Sequence, residues 1–280
     1  MAEKVCVFGS GLVGIISQRE GNGRLSQAPA LLLWNVGMNH RVGPYRYFVD
    51  LARRVAGESG TVLRFDVSGL GDSELQPGRG SDIDRAILDV GESMNLIEQR
   101  TGIQEFVLVG FCSGVDAAHR VAVRDPRVVG VVQVEGYAYR TPGFYLNMYK
   151  RLLNRRHWER YLVRKREKVE RLIAERNRPA GTAQEREPVF TREYPTRERY
   201  RDEVAALARR KVGQLFVYVG CGTNYLYEGQ FHEMYGSEAT RGAVDVVYYE
   251  DADHTFSRQS DRDRSIEAIV RWMITRYGSQ

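Results

Sequence analysis

Cysteine is scarce in this 280-residue chain: Cys6, Cys112 and Cys221 are its three, and they lie far apart. That odd, scattered set excludes a disulfide framework, and no pair has a zinc-ligand spacing. Long apolar runs are missing as well, so no segment reads as a bilayer span. The opening Met-Ala-Glu-Lys lacks the basic lead and apolar stretch of a secretory signal. These absences predict a cytoplasmic protein with reduced thiols and imply neither a metal nor a redox cofactor.

Charge is present but unevenly placed. The formal net charge is +5, yet residues 140–211 hold roughly twice as many Lys and Arg as Asp and Glu, which leaves the remainder mildly acidic. A basic segment suits an anionic membrane surface, an acidic carrier protein, a phosphate-bearing substrate, or simply a solvated helix face. Nucleic acid is disfavoured, because no nucleic-acid-binding motif accompanies the charge, and a membrane role is not expected.

Glycine supplies one misleading pattern. Gly9-Ser10-Gly11-Leu12-Val13-Gly14 comes after the apolar Val5-Cys6-Val7-Phe8 and matches the spacing of a dinucleotide-binding turn. A helix must open there for that purpose, but Leu12 to Ser17 is apolar and β-branched, and Gly21 and Gly23 break the chain too early for a crossover helix. The next strand, Ala30 to Trp34, ends in Asn-Val-Gly without the ribose-binding carboxylate. The pattern predicts a hairpin of Lys4–Phe8 and Leu12–Ser17 with the glycines in its turn.

Beyond it, buried-strand runs alternate with helical periodicity. Strands are expected at 30–34, 61–66, 106–109, 128–134, 215–219 and 244–249. Helices are expected at 45–56, 81–100, directly after 114, at 198–210 and at 262–277. Ser81 and Asp84 form a Ser-x-x-Asp cap for the second. This alternation predicts an α/β fold with a mostly parallel central sheet and helices on both faces. From Tyr137 to Lys211 the alternation stops, and 145–176 reads as amphipathic helices rich in Tyr, Leu and Arg with apolar pairs at Leu152-Leu153, Tyr161-Leu162 and Leu172-Ile173. The expected organisation is therefore a core of 1–136 and 212–280 with a helical cap inserted at 137–211.

The centre of this pattern is Val107-Leu108-Val109-Gly110-Phe111-Cys112-Ser113-Gly114. A strand enters and a helix leaves, with Gly-x-Cys-x-Gly between. Such a tight strand-to-helix turn exposes its middle side chain, and small flanking residues let the backbones approach. A thiol there sits at a helix N-terminus, which favours the thiolate. Taken alone, the same residues also fit a buried structural cysteine next to a helix-capping serine.

In a parallel sheet the site lies at the carboxyl ends of the strands. Met38, Cys112, Glu135 and the loops after Val219 and Tyr249 map to that edge. The loop after Tyr249 carries Asp251-Ala252-Asp253-His254, the histidine best placed to reach Cys112; His119 and His157 read as structural. Met38 is a candidate backbone oxyanion donor. Arg41 and Arg46 fit either a substrate anion or the surface, and Arg41 and Tyr137 are candidate substrate contacts.

Trp34-Asn35-Val36-Gly37, Arg64-Phe65-Asp66-Val67-Ser68-Gly69-Leu70-Gly71-Asp72-Ser73, the Cys112 turn, the insertion and Ala252-Asp253-His254 together resemble the α/β-hydrolase superfamily over nearly the whole chain. Asn39-His40-Arg41-Val42-Gly43-Pro44, Cys112-Ser113-Gly114 and Tyr139-Arg140-Thr141-Pro142 are similar to bacterial hydrolases associated with exosortase or polysaccharide loci. The resemblance implies acyl transfer through a covalent intermediate. Cys112 would be the nucleophile, His254 the base, and the N–H groups of Ser113 and Met38 the oxyanion hole.

The family's acid usually comes after the strand that here ends at Val219, but Gly220-Cys221-Gly222-Thr223-Asn224-Tyr225 offers no carboxylate. Glu135, Asn224 and Glu228 are the substitutes. A thiol of pKa ~8.5 needs less help than a hydroxyl, so a Cys112–His254 dyad assisted by Glu135 or Asn224 is expected. The substrate would be a small-molecule ester or thioester. A transferase drawing on an acyl carrier protein or coenzyme A, and a non-catalytic binding protein, are the alternatives.

Overall fold

Aliphatic runs that are buried on both faces become the central strands, as their pattern predicts. The computed structural model describes residues 1–37, 39–78, 80–153, 192, 194–222, 224–236 and 242–278. Eight strands form one sheet: β1 (Ala2–Phe8), β2 (Leu12–Gln18), β3 (Ala30–Trp34), β4 (Val62–Phe65), β5 (Phe106–Phe111), β6 (Val128–Val134), β7 (Gly213–Val219) and β8 (Val244–Tyr249). Their order is β1-β2-β4-β3-β5-β6-β7-β8. β2 is antiparallel to β1 and to β4, and every other neighbouring pair is parallel. The glycine-rich start is thus the turn of a β1–β2 hairpin, with Phe8 opposite Leu12.

Alternation along each strand separates two apolar layers. Leu31, Leu33, Val107, Val109, Val132 and Val134 pack against α1 (Tyr47–Gly57) and α7 (Gln259–Tyr277). Ala30, Leu32, Trp34, Leu108 and Val131 pack against α2 (Asp82–Thr101) and α3 (Gly114–Arg124). Ser81 caps α2 by accepting from the Asp84 N–H, and the Asp84 carboxylate accepts the Ser81 N–H in return. α1 begins later than the sequence predicts. Pro44–Arg46 forms a short 3-10 turn, and Tyr45 and Arg46 have φ of 47° and 68°, which breaks the helix before Tyr47.

Of the insertion, α4 (Pro142–Leu152) and α5 (Arg197–Arg209) are described, and the apolar pairs at 161–162 and 172–173 lie outside the described residues. Tyr200 and Val204 of α5 are buried with Phe216 and Tyr218 of β7, while Leu153 is exposed. A short helix, α6 (Gln230–Tyr235), comes after β7; its six residues carry too little periodicity to be read from the sequence. No helix among the described residues is long and apolar enough to cross a membrane.

Candidate active site

The turn between β5 and α3 requires small neighbours for a measurable reason. A Cβ on Gly110 would lie 2.5 Å from the Val115 Cα, and one on Gly114 would lie 3.3 Å from the Asn35 carbonyl oxygen. Cys112 itself has a φ of 50°, a left-handed conformation that a non-glycine residue adopts at a cost of order 1 kcal/mol or more. Its N–H donates to the Val134 carbonyl at 2.8 Å, and its carbonyl accepts from Val115 at 3.2 Å. These bonds hold the half-buried thiol at the N-terminus of α3.

Glu135 is the residue that β6 delivers. It also has a positive φ, 54°, and its N–H donates to the Val217 carbonyl at 2.8 Å. The buried carboxylate then divides its work. Oε1 accepts the Val219 N–H at 2.7 Å, and Oε2 lies 2.9 Å from His254 Nδ1. With Nδ1 so engaged, Nε2 is the nitrogen left for Cys112, which lines the same cavity.

The loop that carries His254 is shaped by Asp253, which accepts from Thr255 Oγ1 at 2.7 Å and Ser257 Oγ at 2.6 Å. Phe111 packs its ring edge-to-face with the imidazole, centroids 6.1 Å apart.

The electrostatics of the pair are mutual. Burial pushes the Cys112 thiol up, but the His254 hydrogen bond and charge, the Arg192 charge and the Ser113 N–H outweigh it and leave the thiol below its ordinary range. The hydrogen bonds to Cys112 and then to Glu135 hold the His254 imidazole well above its own. A thiolate facing an imidazolium is the form this geometry favours.

Among the other expected site residues, Ser113 lies at the start of α3 as the turn requires, and its Oγ accepts the Gly37 N–H at 2.9 Å, which ties the β3 loop to the turn. Met38 lies outside the described residues. Asn224 is not brought to His254; its Oδ1 accepts from Arg140 Nε at 3.2 Å. Glu228 is not the histidine's partner either, and its carbonyl accepts from Tyr225.

Arg41 is committed elsewhere: it pairs with the fully buried Asp66 and, at 2.7 Å, with Asp72. The guanidinium expected to contact substrate is thus engaged by two carboxylates, one of them a buried charge that needs a fixed cation. His40, Asp66 and Asp72 come close enough to share a metal ion, but that same guanidinium already binds both carboxylates. Tyr137 is buried, with its ring against Arg192. His119 pairs with Glu203 at 2.7 Å among tyrosine rings, and His157 lies outside the described residues.

Two cavities flank the turn. One of about 310 Å³ is lined by Cys112, Glu135, His254, Cys221, Asn224 and Tyr194. The other, about 720 Å³, runs past Gly37, Ser113 and Gly114 to the start of α2, over Trp34, Val67 and Ile83. Arg192 lines both. The sequence carries no signal for Arg192, Asp116 or Cys221, because none belongs to a periodic face or a spaced motif.

A mostly parallel eight-stranded sheet with the strained Cys112 turn after β5 and the histidine after β8 decides the architecture. The chain has the α/β-hydrolase fold. An esterase from Pyrococcus furiosus superimposes over 99% of this chain and 92% of its own, with a TM-score of 0.60 at 13% identity. An α/β serine hydrolase without a lid from Xanthomonas campestris covers 99% and 96%, with a TM-score of 0.59 at 11% identity. An α/β serine hydrolase homologue from Coxiella burnetii covers 96% of both chains, with a TM-score of 0.56 at 15% identity. No protein-family model and no curated protein matches the sequence. At such identities the α/β-hydrolase likeness speaks for the fold, and the chemistry must come from the residues above.

Proposed function

We propose that this chain is an acyl-transfer hydrolase, esterase- or thioesterase-like, that works through an acyl-enzyme on Cys112. The observation that carries the reading is the convergence of Cys112, His254 and the buried Glu135 on one cavity, with His254 paired to Glu135 and Cys112 at a left-handed turn. The naming of fold neighbours as esterase and serine hydrolase agrees with it.

In this mechanism the Cys112 thiolate attacks the substrate carbonyl, and the carbonyl oxygen becomes an oxyanion. The Ser113 N–H at the start of α3 is one donor for that charge, and the β3 loop at Met38 is the expected source of the second. Collapse expels the leaving group, which takes the proton from His254 Nε2. His254, now neutral, removes a proton from water, the resulting hydroxide attacks the thioester, and the thiolate leaves as the acid departs. Glu135 keeps Nδ1 protonated throughout, so that Nε2 alone exchanges protons.

A biosynthetic acyltransferase is a second reading, favoured by the two cavities that meet at the turn. One would hold the acyl group and the other an amine or alcohol acceptor in place of water, with a carrier protein or coenzyme A as donor. Residues 137–211 would form the cap over both.

Intact mass after incubation with acyl thioesters and activated esters tests the reading. An adduct that forms on the native protein and is absent from Cys112→Ala supports it, and its decay in water or with amines separates hydrolase from transferase. No adduct and no turnover across the panel would leave a non-catalytic binding protein.

A further inference from the structure

The geometry of a hydrolase turn explains His254 and Glu135, but a second charged pair beside Cys112 has no place in that account. Arg192, from the segment just ahead of α5, reaches Asp116 in the first turn of α3. Its Nη2 donates to Asp116 Oδ1 at 2.6 Å and its Nε to Oδ2 at 3.1 Å. Their side chains are only 14% and 8% exposed.

The guanidinium is further fixed by two rings, 5.2 Å from the Tyr137 centroid and 5.1 Å from that of Tyr194. So placed, Arg192 forms part of the wall of the cavity that Cys112, Glu135 and His254 share.

The placement matters because Asp116 opposes the chemistry. A carboxylate at the first turn of α3 suits the helix dipole, yet it sits four residues after a nucleophile that must carry negative charge. Without a covering cation, a nearby buried carboxylate disfavours the thiolate. The titratable groups lining the cavity with the thiol are His254 from the loop after β8, Glu135 after β6, Tyr218 of β7 with Cys221 and Tyr225 after it, and Tyr194 and Arg192 ahead of α5. Of these, His254 and Arg192 are the two cations.

We propose that Arg192 is a positioning residue for Cys112, covering the charge of Asp116 and adding a second cation beside the nucleophile. The proposal rests on Cys112 being the nucleophile of the proposed function. It adds that the insertion contributes to reactivity and does not merely cover the site. Asp116 and Tyr137 act through Arg192, as the groups that hold it.

Site-resolved alkylation of Cys112 by iodoacetamide against pH, read by peptide mass spectrometry, tests this without any acyl substrate. Arg192→Met is expected to move the midpoint up by about one pH unit, which lowers the rate about tenfold at a fixed pH below it. Arg192→Lys, which keeps the charge, should stay near the native midpoint. Asp116→Asn in the Arg192→Met background should bring the midpoint back toward the native value, a recovery that simple loss of packing would not produce.

A folded Arg192→Met protein with the native midpoint overturns the proposal. If that variant does not fold, Asp116→Asn alone decides. With Arg192 left in place, it should lower the midpoint, and an unchanged or raised midpoint overturns the proposal. Because alkylation reads the charge of the thiol and the acyl adduct reads its catalysis, failure of this proposal and failure of the acyl-enzyme reading are told apart.

Discussion

Glu135 and His254 are 119 positions apart in sequence and 2.9 Å apart at Oε2 and Nδ1. The carboxylate that meets the histidine comes from the end of β6, one strand earlier than the resemblance implies, and residues 220–225 directly after β7 carry no acid. Glu135 is also structural, because its other oxygen accepts the buried Val219 N–H. Its two functions separate under substitution.

Glu135→Gln keeps an acceptor for Val219 while removing the charge that holds Nδ1 protonated. A loss of about 10- to 100-fold in kcat/KM is expected, with a small change in thermal stability. Glu135→Ala additionally strands the Val219 N–H, so its stability should fall by about 1–3 kcal/mol in a denaturant titration. Equal stability losses in the two variants would contradict this division.

The Cys112–His254 pair sets a pH window with a definite sign. The thiol is held below its ordinary range and the imidazole above its own, so the thiolate–imidazolium form appears as pH rises through the lowered thiol value and ends as pH rises through the raised imidazole value. Cys112 alkylation should therefore reach its plateau below the ~8.5 of a free cysteine. His254→Ala should move the midpoint upward, since it removes the hydrogen bond and the charge that oppose burial.

Gly110→Ala places a methyl group 2.5 Å from the backbone of Val115. Backbone cannot yield as a flexible side chain does, so the turn must shift. A stability loss of about 1–3 kcal/mol is expected, together with a displaced, less reactive Cys112. Thermal unfolding and the alkylation rate measure the two parts. Gly114→Ala, whose nearest contact is 3.3 Å, should cost less.

Arg41→Ala separates a clamp from a substrate contact. Asp66 is fully buried, and it also accepts from the Arg41 N–H at 2.6 Å and from Asn35 Nδ2 at 2.9 Å. Removing the guanidinium leaves a buried charge underneutralised, at a cost of about 3 kcal/mol or more in unfolding free energy. Activity per folded molecule should change little. A raised KM with unchanged stability would restore the substrate-binding reading.

Local pattern was enough to determine the layered core of this protein. Strands such as Leu31-Leu32-Leu33 and Val107-Leu108-Val109 are apolar on both faces, and only a sheet covered on both sides buries them. The Gly-Phe-Cys-Ser-Gly turn was equally legible, because strain and close backbone approach demand glycine at fixed offsets. The same local logic identified the β1–β2 hairpin within a pattern that mimics a nucleotide-binding turn.

What sequence could not decide was which distant groups meet. Glu135, Asn224 and Glu228 each offered a partner for His254, and the sheet order selected Glu135, whose carboxylate reaches across the end of β7 to the loop after β8. Arg41, read as a substrate contact, was claimed by Asp66, since a buried carboxylate binds the nearest cation whatever its position in sequence. Arg192 lies in a segment without periodicity, and its pairing with Asp116, 76 positions away, exists only once the chain folds back over α3. Periodic burial is written into each segment, whereas the pairing of charges depends on three-dimensional proximity, which the tertiary structure alone creates.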